Sequence, residues 1–106
     1  MAESSESIRR RVVAAREIQS RRFRDEGIFT NAAMNNRMIE KYCPLSDECK
    51  DFLGRTIDRM GLSARACMRI IRIARTIADL ADCRDISILH LSEAAGFRFL
   101  DKQLPI

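Results

Sequence analysis

Ser63-Ala64-Arg65-Ala66-Cys67-Met68-Arg69-Ile70-Ile71-Arg72-Ile73-Ala74-Arg75-Thr76-Ile77-Ala78-Asp79-Leu80-Ala81 is the longest periodic run in the chain. Cys67, Ile70, Ile71, Ala74, Ile77, Ala78 and Ala81 recur at i, i+3 and i+4 through several turns, the spacing that lines one face of an α-helix. Ile73 and Leu80 widen the apolar side, which predicts that this helix is the central one. Ser63 offers an N-cap hydroxyl to the orphan N–H groups of the first turn.

Outward from this run, Gly61 is suited to stop a preceding helix in the left-handed conformation. That helix is capped by Ser46, carries Asp47 and Glu48 where the macrodipole favours acids, and buries Cys49, Phe52, Leu53, Ile57 and Met60. Pro44 ends a shorter helix over about Asn36 to Cys43, because the residue before proline is pushed out of the helical region. Gly27 to Asn36 reads as a connection in which Asn31, Asn35 and Asn36 supply turn chemistry. A first helix is expected from Ser7, as N-cap, to near Gly27, with Ile8, Val12, Ala15, Ile18 and Phe23 as its stripe and Val13 off it. On the other side, Asp82 to Asp85 turn the chain and Ser87 caps a last helix through Leu89, Leu91, Ala94 and Ala95 toward Phe97 and Leu100. Gly96 costs that helix up to about 1 kcal/mol relative to Ala.

The sum is an all-α bundle of about five helices, with residues 1–6 a disordered start, 7–101 the helical domain and 102–106 a tail. A chain of 106 residues, 46% of them apolar, holds one domain with a core of its own. No apolar run approaches the roughly 18–20 residues of a membrane span, and Glu3 and Glu6 stand where a signal peptide would be basic and then apolar.

Cys43, Cys49, Cys67 and Cys83 contain no Cys-x-x-Cys pair, and His90 is the only histidine. Neither a metal site nor a disulfide framework follows from that spacing. They read as structural thiols in or near the core of a protein kept in a reducing cytoplasm.

Catalytic machinery is not visible. Gly27, Gly54, Gly61 and Gly96 are far apart and none precedes a lysine, so no phosphate-cradling loop is formed. His90 lies within an apolar helix and reads as a partly buried or capping residue. Asp25/Glu26 and Asp47/Glu48 read as loop and helix-end charges.

What remains is arginine. Of the 19 basic residues, 16 are Arg, against 15 acids, for a net charge of +4; Arg is the side chain for forked contacts to phosphate or carboxylate. In the first helix Arg9, Arg10, Arg11, Arg16, Arg21, Arg22 and Arg24 face one acid, Glu17, and go around the helix rather than along one side. They read either as solvated charges or as a nucleic-acid contact through Arg9, Arg10 and Arg11, with no aromatic interleaved to stack on bases and Phe23 insufficient alone. In the long helix Arg65, Arg69 and Arg72, at i, i+4 and i+7, form a ridge. Arg65 lies in the first turn, where free N–H groups also favour an anion; a solvated ridge is the plain alternative. Arg75 and Asp79 read as an i, i+4 ion pair worth a few tenths of a kcal/mol.

The run from Gly61 to Leu80 resembles the sensor-2 helix of Mg-chelatase-like AAA+ ATPases, in particular the ComM-related branch. Ile8-Arg9-Arg10-Arg11-Val12 with Ala15-Arg16-Glu17-Ile18-Gln19 is similar to the helix that follows the ATPase core there. Asn31, Glu40-Lys41-Tyr42-Cys43 and His90-Leu91-Ser92-Glu93-Ala94 also fit its C-terminal region. The chain departs from that pattern at Cys67, where an aromatic is usual, and at the small pair Ala95-Gly96. It also has no Walker A or Walker B segment, so it looks like the C-terminal piece of a longer ATPase.

The resemblance implies a helical lid that closes over ATP and Mg2+ held by a separate α/β core. Arg65 matches the sensor-2 arginine that meets the γ-phosphate. It further implies core-domain and neighbouring-subunit partners in a ring oligomer. It also implies work on a substrate that is DNA in the ComM-like branch and a porphyrin receiving metal in true chelatases, the sequence leaning toward the former. This chain alone is expected to bind no cofactor and to be inactive. The alternative is a freestanding basic helical module that binds nucleic acid or serves assembly.

Overall fold

Serine hydroxyls start most of the helices. In the computed structural model, which describes residues 4–103, α1 (Ser5–Arg22) is capped by Ser4, whose side chain accepts the Ser7 N–H at 3.1 Å. The helix therefore begins ahead of the Ser7 cap expected from sequence, with Glu6 placed in its favourable first turn. It also stops earlier, at Arg22, and Gly27 takes its left-handed φ of 75° in the turn beyond. Residues 1–3 and 104–106 lie outside the described part. Of the expected terminal segments, Ser5 and Glu6 are helical, as are Lys102 and Gln103.

A 3-10 turn at Asn31–Ala33 leads to α2 (Asn36–Tyr42), capped by Asn35. Then come α3 (Asp47–Met60), capped by Ser46 and closed by Gly61 at φ 62°, and α4 (Ala64–Leu80), capped by Ser63. The last helix is α5 (Ile88–Gln103). Among the described residues the fold is all-helical.

α4 is central, packing against α5, α1, α2 and the 3-10 turn, while α3 packs on α5. Its apolar arc is the reason: Ile70, Ala74 and Ala78 are fully buried and Ile71 nearly so. Ala74 and Ala78 keep the arc low enough for Leu91 and Ala94 of α5, also fully buried, to approach closely. Phe23, Met34, Met38, Ile39, Cys43, Cys49, Leu53 and Ile86 complete the same cluster.

The α1 stripe is only half used. Ala15 and Phe23 are buried, but Ile8 is 44% exposed. Buried contact begins at Ala15, so the N-terminal half of α1 stands away from the core.

α4 ends in a six-to-one turn: Cys83 N–H donates to the Ala78 carbonyl at 2.8 Å and Asp82 N–H to Asp79 at 3.1 Å. Asp82 occupies its left-handed position at φ 55°, where glycine is usual.

Candidate functional site

Arg65 is the second residue of α4. Ser63 fixes the helix start by accepting the Ala66 N–H at 3.1 Å, and Ala66 is itself buried. The first N–H groups of the helix, those of Ala64 and Arg65, have no partner within it. Arg65 is exposed and has no hydrogen-bond or ion-pair partner among the described residues. With Ser63, Ala66, Arg69 and Arg72 it lines a groove of about 300 Å³. Arg69 is exposed and Arg72 half-buried, so the ridge read from sequence is present, with Arg72 sunk toward the domain. Guanidiniums, helix N–H groups and a hydroxyl meet here with no carboxylate among the lining residues, a chemistry suited to an anion.

Behind this ridge is a buried polar cluster that sequence spacing does not disclose. Asp79 Oδ1 and Oδ2 accept a forked pair from Arg22 of α1, each bond 2.8 Å. Asp79 Oδ2 also accepts Asn31 Nδ2 at 2.8 Å, and Arg22 reaches Asn31 Oδ1 at 2.8 Å. Arg75 lies beside them, its Nε 3.3 Å from Asp79 Oδ1 and its other nitrogens donating to the carbonyls of Cys83 and Arg84. Gln19 accepts the Asn31 N–H at 3.1 Å. From Asn31 the chain of bonds continues through Thr76 Oγ1 to the carbonyl of Arg72, one turn back along the ridge helix.

The Arg75–Asp79 pair is thus present but is not the surface pair read from sequence. Both residues are buried and each has further partners, so its strength is that of a desolvated network. Asn31, expected to serve turn chemistry, is instead fully buried at its hub.

The other arginine group is dispersed. Arg9, Arg10 and Arg11 are all exposed near the start of α1, and Arg10 donates to Glu6 at 3.0 Å on an open surface.

His90 has the capping role foreseen for it. Ser87 N–H donates to its Nδ1 at 3.0 Å while the Ser87 hydroxyl accepts the His90 N–H at 3.4 Å, a reciprocal box at the start of α5.

Glu26 gathers Tyr42 at 2.6 Å, Arg37 at 3.1 Å and Lys41 at 3.6 Å. The tyrosine hydroxyl first, then Arg37, hold its carboxyl below the ordinary range.

The cysteines divide. Burial pushes the Cys43 thiol up to about 11 and raises that of Cys67, Cys49 is buried, and Cys83 is exposed rather than in the core. Among the described residues no three His, Cys, Asp or Glu side chains assemble as a metal site, and no helix is long and apolar enough to cross a membrane.

Comparison with known proteins identifies the family of the chain. Residues 2–98 match the family described as magnesium chelatase, subunit ChlI C-terminal. The chain is 41% identical over 102 residues to protein YifB of Salmonella typhimurium and 39% identical over 102 residues to competence protein ComM of Haemophilus influenzae. It is also 33% identical over 96 residues to protein Rv2897c of Mycobacterium tuberculosis. These alignments cover 96%, 96% and 91% of this chain but 19% of each relative, so the chain spans about a fifth of the length of the relatives it matches. By the extent of these matches, the chain belongs to the magnesium chelatase ChlI C-terminal family, alongside ComM and YifB.

Proposed function

We propose that this domain is the helical lid of a ComM-like AAA+ ATPase, in which Arg65 reads the γ-phosphate of ATP and couples its hydrolysis to remodelling of DNA. The observation that carries this reading is Arg65 itself: exposed, without a carboxylate partner among the described residues, and based on a capped first turn of the central helix. A guanidinium held on a rigid base suits phosphoryl transfer, which is accelerated chiefly by positioning and by stabilising charge on the transferred group.

ATP with Mg2+ supplies the reactive phosphoanhydride. This chain contributes cationic and N–H donors to it, and the cradle for the phosphates and the metal belongs to an α/β core and to neighbouring subunits of a ring. Residues of this chain do the orienting. Ser63 sets the helix start, Ala66 buries its inner side, and the bonds from Asn31 through Thr76 to Arg72 brace the ridge from behind.

The test uses the full-length ATPase. Arg65→Ala should leave ATP binding largely intact while hydrolysis falls at least tenfold, and Arg65→Lys should recover only part because it lacks the fork. Wild-type turnover in Arg65→Ala overturns the reading. The 106-residue domain alone should show no ATPase.

A further inference from the structure

Phe29 is 83% exposed, more than any other large apolar side chain among the described residues. Its segment is nevertheless pinned. Gly27 makes the preceding turn at φ 75°, Ile28 packs against the core, and Asn31 is fully buried in the Asp79 cluster. Beneath the turn Phe23 is 2% exposed and meets Tyr42 edge-on at 5.4 Å between ring centres. With anchors on both sides, the chain is forced to present the Phe29 ring outward.

Arg21, Arg24 and Phe29 line one groove of about 410 Å³ together with Ser20, Phe23, Gly27 and Ile28. Both arginines are exposed, and neither has an ion-pair partner among the described residues. The nearby cations differ: Arg22 is held by Asp79, and Arg37 and Lys41 by Glu26. The acid adjoining Arg24 in sequence, Asp25, is not among the groove's lining residues. The groove therefore offers an open π-face and two uncommitted guanidiniums. The sequence shows no such platform, because Phe29 lies beyond the arginine-rich helix and only the turn brings it back beside Arg21 and Arg24.

We propose that this groove binds single-stranded nucleic acid, with an unpaired base stacked on Phe29 and the flanking phosphates on Arg21 and Arg24. A ring standing out beside two cations is the combination that single strands use, the base for the aromatic and the backbone for the charges. In a duplex the base faces are already stacked and leave the ring without a partner. An acidic peptide satisfies the guanidiniums but not the ring. The site extends the DNA reading above to a named surface and is independent of Arg65, so its failure leaves the nucleotide role standing.

The 106-residue chain is titrated into a labelled short oligothymidylate at low salt, followed by anisotropy, with a duplex and polyglutamate as competitors. Single-strand binding is expected, weakened roughly tenfold by Phe29→Ala and retained in Phe29→Tyr. The double variant Arg21→Ala, Arg24→Ala should flatten the slope of log affinity against log salt by about 1.4, at about 0.7 per phosphate contact. All three positions are exposed, and thermal melting by circular dichroism checks that each variant is folded. Absence of binding at low salt, an unchanged affinity in Phe29→Ala, or displacement by duplex or polyglutamate as readily as by single strand overturns the proposal.

Discussion

Arg22 and Asp79, 57 positions apart in sequence, are joined by two parallel bonds of 2.8 Å that fasten the end of α1 to the end of α4. Asp79 is 2% exposed and also faces Arg75, so one carboxylate balances two guanidiniums away from water. Removing it strands both. Asp79→Ala should cost about 3–5 kcal/mol, measured by urea unfolding. Arg22→Ala should cost less, since Asp79 then keeps Arg75 and Asn31. Equal and small losses for the two variants would show that the cluster is not the fastening it resembles.

That cluster marks the boundary of what the sequence discloses. The elements come from local rules: serine caps at Ser46 and Ser63, the Gly61 stop, the Pro44 break and the apolar arc of α4 are each set by neighbours a few residues away. The N-terminal half of α1 and the cluster depend on where distant elements dock. Ile8 fits a helical stripe equally well whether or not anything covers it, and it is exposed. Asn31 is a turn-former by type, and only the docking of α1 on α4 makes it a buried hub. A local signal did exist for Arg75 and Asp79: they border Ile71 and Ala78, at the edge of a fully buried arc. For Arg65 the position at a helix start was legible, and its exposure depended on what else packs there.

The caps at Ser46 and Ser63 are chemically alike, each accepting one N–H at 3.1 Å, and they differ in what stands above them. Ser46→Ala and Ser63→Ala should each cost about 1 kcal/mol by thermal unfolding. Only Ser63 supports the turn that bears Arg65. On the ATPase reading proposed above, in the full-length protein at a temperature where both variants are folded, Ser63→Ala should slow ATP turnover several-fold and Ser46→Ala should leave it near wild type. Equal turnover would separate the Arg65 base from its cap.

Thiol reactivity should follow burial. Cys83 is exposed and Cys43 is buried with its thiol pushed up to about 11 by desolvation, against an ordinary value of 9.0. A thiol reagent at neutral pH should therefore modify Cys83 first and Cys43 only on unfolding, read by mass spectrometry of peptides. The raised value also fixes a pH window. Well below pH 9 the Cys43 thiol is protonated in both states, so its contribution is constant. Between about 9 and 11 the unfolded chain loses the proton while the folded one retains it, so stability falls as pH rises. Urea midpoints over that range should decline more steeply in the wild type than in Cys43→Ala, and parallel limbs would contradict the assignment.

Asp82 stores strain that can be released. It takes φ 55° at the end of α4, a conformation costly for a residue with a Cβ, and it brings a negative charge to the negative end of the helix dipole. Its backbone nonetheless closes the turn that delivers the Cys83 and Arg84 carbonyls to Arg75. Glycine keeps that turn and removes both penalties, at the expense of a more flexible unfolded chain. Relief of left-handed strain and of the helix-end charge, less the entropy cost of glycine, should let Asp82→Gly stabilise the domain by about 0.5–1 kcal/mol, whereas Asp82→Val, branched at Cβ, should destabilise it by more than about 1 kcal/mol. Paired urea titrations decide the matter. If Gly were no better than Asp here, the Asp82 side chain would have to be stabilising the turn by about as much as its backbone strain costs.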